Sequence, residues 1–345
     1  MFFYFYAGCY TSNSPQHDEK GIHLLRLDAG SGELHIADSF YGGESPSFLI
    51  RSGNFLYAAN EIEGAGKVSA FSVGAGNTLT FLNSREVCGS ETCHVAEMNG
   101  FLYAANYLSG SIFGVEILKD GSLGGIAAEI QHEGCGPNPV RQKGPHAHSV
   151  NPVPGANLLI AADLGADKLF YYNQQKNGSL APDKNKSAAA PAGGGPRHIA
   201  FHPDGKHIYA VMEMGVSLVC YKLTEKGLQQ EAVYPLIEET INEKDIAADI
   251  HFTKDGKRLY VSVRGKNQLS AFNVNGASLE FIGSFPTFGD SPRNFCFSPG
   301  EEFIITAHQV SGHITVCPLD SKTGLVGKIL SSVVLPKAAC VIQLT

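Results

Sequence analysis

The sequence predicts an all-β protein: a seven-bladed β-propeller of four-stranded antiparallel blades, forming one domain over residues 1–345. Three observations carry this. The chain has 39 glycines and 17 prolines with only 17% charged residues, the composition of short strands joined by tight turns. A strand–turn–strand unit recurs at a spacing of about 50 residues, the repeat length of a propeller blade. The two chain ends carry the halves of a further unit.

The units follow in order as "GNFLYAANEIEGAGKVSAFSV" (53–73), "GFLYAANYLSGSIFGVEIL" (100–118), "NLLIAADLGADKLFYYNQ" (157–174), "GKHIYAVMEMGVSLVCYKL" (205–223), "GKRLYVSVRGKNQLSAFNV" (256–274) and "EEFIITAHQVSGHITVCPL" (301–319). An apolar strand such as "HIAFHP" or "NFCFSP" precedes each, and a variable outer segment such as "GLQQEAVYPL" follows, which makes four strands per unit. "FFYFYAGCYTS…GIHLLRL" at the start and "KAACVIQLT" at the end complete a seventh unit. Pairing them closes the ring and removes a free sheet edge. "YAGC" ending at Cys9 mimics a lipoprotein cleavage site, but it lacks a basic stretch before it, and alternating aromatics fit a strand.

Composition narrows the function. A net charge of −7 argues against a nucleic-acid partner, and no apolar run approaches the roughly 18 residues a membrane helix needs. The eight cysteines form no CxxC pair or zinc-ligand spacing, and several sit in apolar runs, as in "SLVCYKL". Free buried thiols imply a reducing compartment, the cytoplasm. A monomer or weak homodimer is expected.

Candidate site residues come from the repeat. Counting back six from the Pro, Gly or Lys that opens the turn after each innermost strand gives Ser47, His94, His148, Arg197, Ala248 and Arg293. The turn after each second strand carries Asn60, Asn106, Asp163, Glu213, Arg264 and His308. Successive strands are antiparallel, so both sets face one end of the central channel. Blades three to six thus bring together His148, Arg197, Glu213, Arg264 and Arg293. Arginine captures carboxylate or phosphate bidentately, which points to a small anionic ligand. Glu213, between apolar residues in "VMEMG", is misplaced unless it pairs with a cation or acts as a base.

Other features read as structural. Asp163 is a turn-former bonding backbone amides. His202, His207 and His251 lie out of phase with the ruler, on the surface or in packing. "GGGPRH" (193–198) is a repeat element rather than a nucleotide loop, since no helix follows it. Nucleophile-elbow and zinc-helix motifs are missing, and arginines at the channel mouth disfavour a divalent cation there, so neither metal nor cofactor is expected.

The set "PHAHSV", "ADLGADKL", "GGGPRHIAFHPDGKHIYAVME" and "AADIHFTKDGKRLYVSVRG" resembles the seven-bladed propeller lactonases, the family of 6-phosphogluconolactonases and carboxymuconate cyclases. The resemblance spans nearly the whole chain and implies functional positions at His148, Arg197, Glu213 and Arg264. It departs at Met212 and Val263, where asparagine or aspartate often stands, and in the insertion-like "HEGCGPNPVRQKGP" (132–145). The implied activity is hydrolysis of a phosphorylated or carboxylated sugar lactone, 6-phosphogluconolactone of the pentose phosphate pathway first among them. Glu213 or His148 would be the base and Arg197 would stabilise the carbonyl oxygen. Arg264 and Arg293, with His94, His146 or His198, would hold the anionic group. The alternatives are a carboxymuconate cycloisomerase and a non-catalytic interaction scaffold.

Overall fold

The computed structural model describes residues 1–11 and 20–344. Seven antiparallel sheets follow one another around the ring. Blade one runs from Pro46–Ser52 at the channel, through Phe55–Ile62 and Ala65–Val73, to Leu79–Val87 at the rim. Blades two to six repeat this order, their innermost strands being Thr92–Met98, Ala147–Pro152, Pro196–Phe201, Ile246–Phe252 and Pro292–Phe297. Blade three adds a short segment, Ala188–Ala189, paired with its third strand, Lys168–Gln174. In blade seven the C-terminal Ala338–Leu344 is innermost and pairs with Phe2–Cys9, followed by Ile22–Asp28 and Leu34–Phe40. The strand reading of "YAGC" and closure of the ring by the two ends therefore both hold.

Burial explains the sequence of each strand. Second strands lie between two neighbouring blades and are apolar on both faces; every residue of Leu158–Asp163 is buried. Outer strands, wet on one face, show looser alternation, as in Ser278–Pro286. The core is a ring of inter-blade seams. One of them joins Tyr57 and Val68 of blade one to Val95, Leu102 and Phe113 of blade two.

A repeated hydrogen bond pins those seams. In each of five second strands a tyrosine hydroxyl donates to a carbonyl in the outer hairpin of the next blade. The pairs are Tyr6 to Asn77, Tyr57 to Gly121, Tyr103 to Gly178, Tyr209 to Gly276 and Tyr260 to Gly324. Blades three and six carry Ile160 and Ile305 at this place. Gly121 is required: its φ is +82°, and a Cβ there would lie 2.1 Å from the Phe55 ring.

Each innermost strand starts with a β-bulge, where one extra residue escapes pairing with the second strand. Bulges re-aim side chains, and here they do so at the same end of every blade.

The tyrosine clamps predict that Tyr103→Phe and Tyr260→Phe each destabilise the fold by ~1–3 kcal/mol, because a buried carbonyl loses its donor. Denaturant midpoints measured at constant slope read this directly. The same change at the solvent-facing Tyr41 has no effect.

Candidate active site

The bulges define one ring of positions: Ser47, Cys93, His148, Arg197, Ala248, Arg293 and Ala339. His94 is not among them. In blade one Gly53 is the first residue of the hairpin turn, whereas in blade two Asn99 precedes Gly100, with φ of 52° and 80°. Counting from the glycine therefore slips by one, and Cys93 holds the place expected for His94.

The second ring also needs a correction. The fourth residue after each clamp position is Tyr10, Glu61, Tyr107, Leu164, Glu213, Arg264 and Gln309. Strand register confirms the equivalence: Asn60, Asn106, Asp163 and His308 pair across their blades like Met212, one residue before Glu213. These four are fully buried. Asn60 donates to the carbonyls of Gly42 and Glu44. Asp163 accepts the amides of His146 and Ala166, the turn role expected of it, and binds His132 at 2.7 Å.

Where the rings meet, Glu213 is the hub. Its Oε2 accepts from Arg197 Nε at 3.0 Å and Arg264 Nη2 at 2.7 Å, and its Oε1 accepts from Arg141 Nη2 at 2.7 Å. His148 Nε2 lies 3.8 Å from Oε2. Arg197 is drawn fully inward, donating also from Nη1 to the carbonyl of Ala248 at 2.5 Å. Arg264 leaves its Nε without a partner among the described residues. Arg141 is the exposed member, with 35% of its side chain open to solvent, and it also donates to the Tyr107 hydroxyl at 2.8 Å. His146 stacks on Tyr107 with ring centroids 4.8 Å apart.

A second carboxylate faces the first across the mouth. Glu61 Oε2 accepts from Ser47 Oγ at 2.6 Å, Tyr10 Oη at 2.7 Å and Arg293 Nη2 at 3.4 Å. Beside it opens a cleft of about 520 Å³ lined by Tyr10, Glu61, Glu91 and Lys337.

His94 and His198 are not hydrogen-bonded into this cluster. They line a separate chamber of about 420 Å³ further down the channel, with Phe48, Asp249 and His251. His198 Nδ1 meets Asp249 Oδ1 at 2.7 Å, and the other Asp249 oxygen meets His251 Nε2 at 2.8 Å. The imidazoles of His148, His198 and His94 follow one another edge to face, with centroids 5.5 and 5.3 Å apart. The glycine run is not a phosphate cradle, because the amides of Gly193 and Gly195 donate to the Asp167 carboxylate.

The family described as "Lactonase, 7-bladed beta-propeller" matches residues 4–343. The chain belongs to the seven-bladed β-propeller lactonase family. It is 32% identical to the 6-phosphogluconolactonase of Bacillus subtilis, over 97% of both chains. Identity to the 6-phosphogluconolactonase of Formosa agariphila is 29% over 96% of both. The solved structure of the periplasmic gluconolactonase of Pseudomonas aeruginosa superposes with a TM-score of 0.93 at 27% identity, covering 100% of this chain and 99% of that one. No helix among the described residues is long and apolar enough to cross a membrane.

Within this lactonase fold the electrostatics are set by burial. Burial alone would raise the Glu213 carboxyl, but Arg264, Arg197 and Arg141 override it and hold the group down to about 2. Burial and then the charges of Arg197, His198 and Arg293 push His148 well below its usual range, so it is neutral at pH 7. The sequence ruler missed Glu61, Tyr107 and Tyr10, which a count from the clamp tyrosines would have found. It missed Arg141 because residues 132–145 lie outside any repeat register. Asp249 stood beside a ruler position, and only the bulge shows where it points.

Because the folded-state pKa of Glu213 lies below its ordinary 4.5, its ionised form stabilises the fold fully above that value. The contribution is lost as pH falls from about 4.5 towards 2. Glu213→Gln is expected to remove this acid-side slope and to cost ~3–5 kcal/mol at pH 7, since three guanidiniums then lack their counter-charge. Denaturant titrations across pH 2–7 check both.

Proposed function

We propose that this protein hydrolyses a sugar-acid lactone, with 6-phosphoglucono-1,5-lactone as substrate and 6-phosphogluconate as product, in a reducing, cytoplasmic setting consistent with its eight free cysteines. The observation that carries the reading is a neutral buried imidazole, His148, set 3.8 Å from a carboxylate that gathers three guanidiniums at one channel mouth. Names borne by two relatives of similar length support the substrate class.

Lactone hydrolysis needs a base for water, donors for the developing oxyanion and a grip on the remote charge. Glu213, ionised and saturated by three arginines, is too weak a base for the role. His148 takes it: its Nε2 accepts a proton from water as the oxygen adds to the lactone carbonyl. The tetrahedral intermediate expels the ring oxygen, which takes that proton back, and the new carboxylic acid releases water's second proton to solvent as the product leaves as a carboxylate. Arg264, whose side chain keeps 10% of its surface open where that of Arg197 keeps 2%, stabilises the oxyanion. Arg197, sealed from solvent, works as a positioning residue that fixes Glu213. Arg293 and the exposed Arg141 hold the phosphate, with His146 and Tyr107 forming the wall beside them. His94 and His198 shape the floor.

The test is hydrolysis of 6-phosphoglucono-1,5-lactone, corrected for its spontaneous opening. His148→Ala and Arg264→Ala are each expected to lower kcat/KM roughly 100-fold. Arg141→Ala should raise KM more than it lowers kcat, and should narrow the preference over unphosphorylated glucono-1,5-lactone. Since the His148 pKa is depressed in the free protein, its base form persists on acidification, so kcat/KM, which reports the free protein, should hold from pH 8 down to 6. Wild-type rates in both the His148 and Arg264 variants would overturn the assignment. Turnover of a carboxymuconate in place of the lactone would make the same arginines those of a cycloisomerase.

A further inference from the structure

Three side chains far from the arginine cluster converge in a way the proposed lactonase chemistry does not use. His202 and His207 flank the hairpin turn "HPDGKH" (202–207) that joins the innermost and second strands of blade four, with Asp204 between them. Arg197 stands at the other end of that innermost strand, so the turn lies on the opposite face of the ring. The nearest ligand atoms of the three residues all fall within 4.8 Å of one another. His202 Nδ1 is 3.1 Å, and His207 Nδ1 2.5 Å, from the same oxygen, Asp204 Oδ2.

The hydrogen bonds around the cluster decide which atoms carry protons. His202 Nε2 faces the carbonyl of Gly256 at 3.1 Å, and a carbonyl only accepts, so this nitrogen is the N–H. His202 Nδ1 therefore carries the ring's one lone pair, which accepts the Asp204 amide at 3.2 Å and would turn from it to an ion. Both nitrogens of His207 face carboxylates, Nδ1 the Asp204 Oδ2 at 2.5 Å and Nε2 the Glu231 Oε2 at 3.3 Å; with Nε2 donating to Glu231, an ion bound at Nδ1 takes the place of the proton shared with Asp204. Asp204 Oδ1 accepts the amides of Lys206 and His207, and Oδ2 is the oxygen that meets both imidazoles. Two imidazole Nδ1 atoms and one carboxylate oxygen therefore converge within 4.8 Å of one another.

The surroundings favour a cation. Metal-ligating histidines as a rule donate their far N–H to a carbonyl or carboxylate, and both rings here do so, one to each kind. The four residues between the histidines match the His–His spacing of zinc sites, and a mixed nitrogen and oxygen donor set suits that ion. Tetrahedral bonds of 2.0–2.1 Å place ligand atoms about 3.4 Å apart, so the 3.1 Å pair would barely move and the 2.5 Å pair would part by about 1 Å. Both imidazoles are largely covered, with 16% and 14% of their side chains exposed, and the Asp204 side chain is 28% exposed. This leaves water access to the remaining coordination positions.

We propose that His202, Asp204 and His207 bind a transition-metal dication of the zinc class, held in orientation by Glu231 and the Gly256 carbonyl. The ion ties the inner hairpin of blade four to its outer strand through Glu231 and to the blade-five turn through Gly256. It is a structural site, distinct from the lactone-binding mouth.

The test is calorimetric titration of the full-length protein with Zn²⁺ after chelator treatment and alkylation of the exposed thiols Cys88 and Cys135, which would otherwise compete for the ion. One equivalent per chain with micromolar or tighter affinity is expected, together with a rise in Tm on zinc addition. His202→Asn with His207→Asn should abolish the site, and Glu231→Gln should weaken it roughly tenfold, a change that does not touch a ligand atom. Lactonase activity should survive chelation unchanged, so failure here and failure of the functional reading remain separate. The proposal is overturned if the wild-type protein shows no such site, or if the double variant binds zinc as the wild type does.

Discussion

The negative charge on Glu213 is what the mouth depends on. Arg197 and Arg264 are buried and Arg141 reaches in from residues 132–145, and each places a guanidinium within 3.0 Å of the same carboxyl group. Without that charge the three cations would repel one another in a poorly screened space, and each would carry its own desolvation cost. With it, they become a fixed array of donors whose orientation is settled before any ligand arrives. Desolvation works against the array and the charges work for it. The depressed pKa of Glu213 shows which prevails.

This arrangement follows from a backbone feature rather than from any local motif. A regular innermost strand would alternate its side chains between the two neighbouring blades. The bulge inserts one residue at the start of each strand and turns that side chain to the channel. Seven blades repeat the device, so residues as far apart as Ser47 and Arg293 occupy equivalent places and meet at Glu61. The tyrosine clamps fix the angle between blades, and so the width of the channel in which these side chains meet. Small changes in blade tilt would move guanidinium and carboxylate apart, which is why the inter-blade hydrogen bonds matter to the site as well as to the fold.

The architecture was legible because it is periodic. Apolar second strands, polar turns and a recurring unit are properties of spacing, and spacing survives in sequence. Arg197, Arg293 and His148 could be placed for the same reason. The errors came where one residue of register mattered. A glycine that is first in one turn and second in the next moved His94 into a place that Cys93 holds. Taking Asn60 and Asn106 as partners of Glu213 hid Glu61 and Tyr107, one position on. Side chains of adjacent residues in a strand point to opposite sides, so a slip of one separates a buried amide from a channel carboxylate. Arg141 was illegible for a different reason. It belongs to no repeat, and its contact with Glu213 is made across 72 positions of chain by a segment whose path is fixed by Gln142, which donates to the Leu164 carbonyl and to Asp167.

The proposed base gains from the charge balance at the mouth. In the free protein His148 is neutral because burial and three cationic or potentially cationic neighbours oppose its protonation. A neutral imidazole is ready to accept a proton, but the field that keeps it neutral also makes it reluctant to take one. An anionic ligand changes this. Negative charge held as proposed by Arg293 and Arg141 would offset part of the positive field, and the imidazole would regain basicity with a substrate in place. Glu213, 3.8 Å from Nε2, then steadies the imidazolium as it forms. The substrate's own charge thus completes the base, so an uncharged lactone of the same shape would be bound less tightly and also turned over less efficiently once bound.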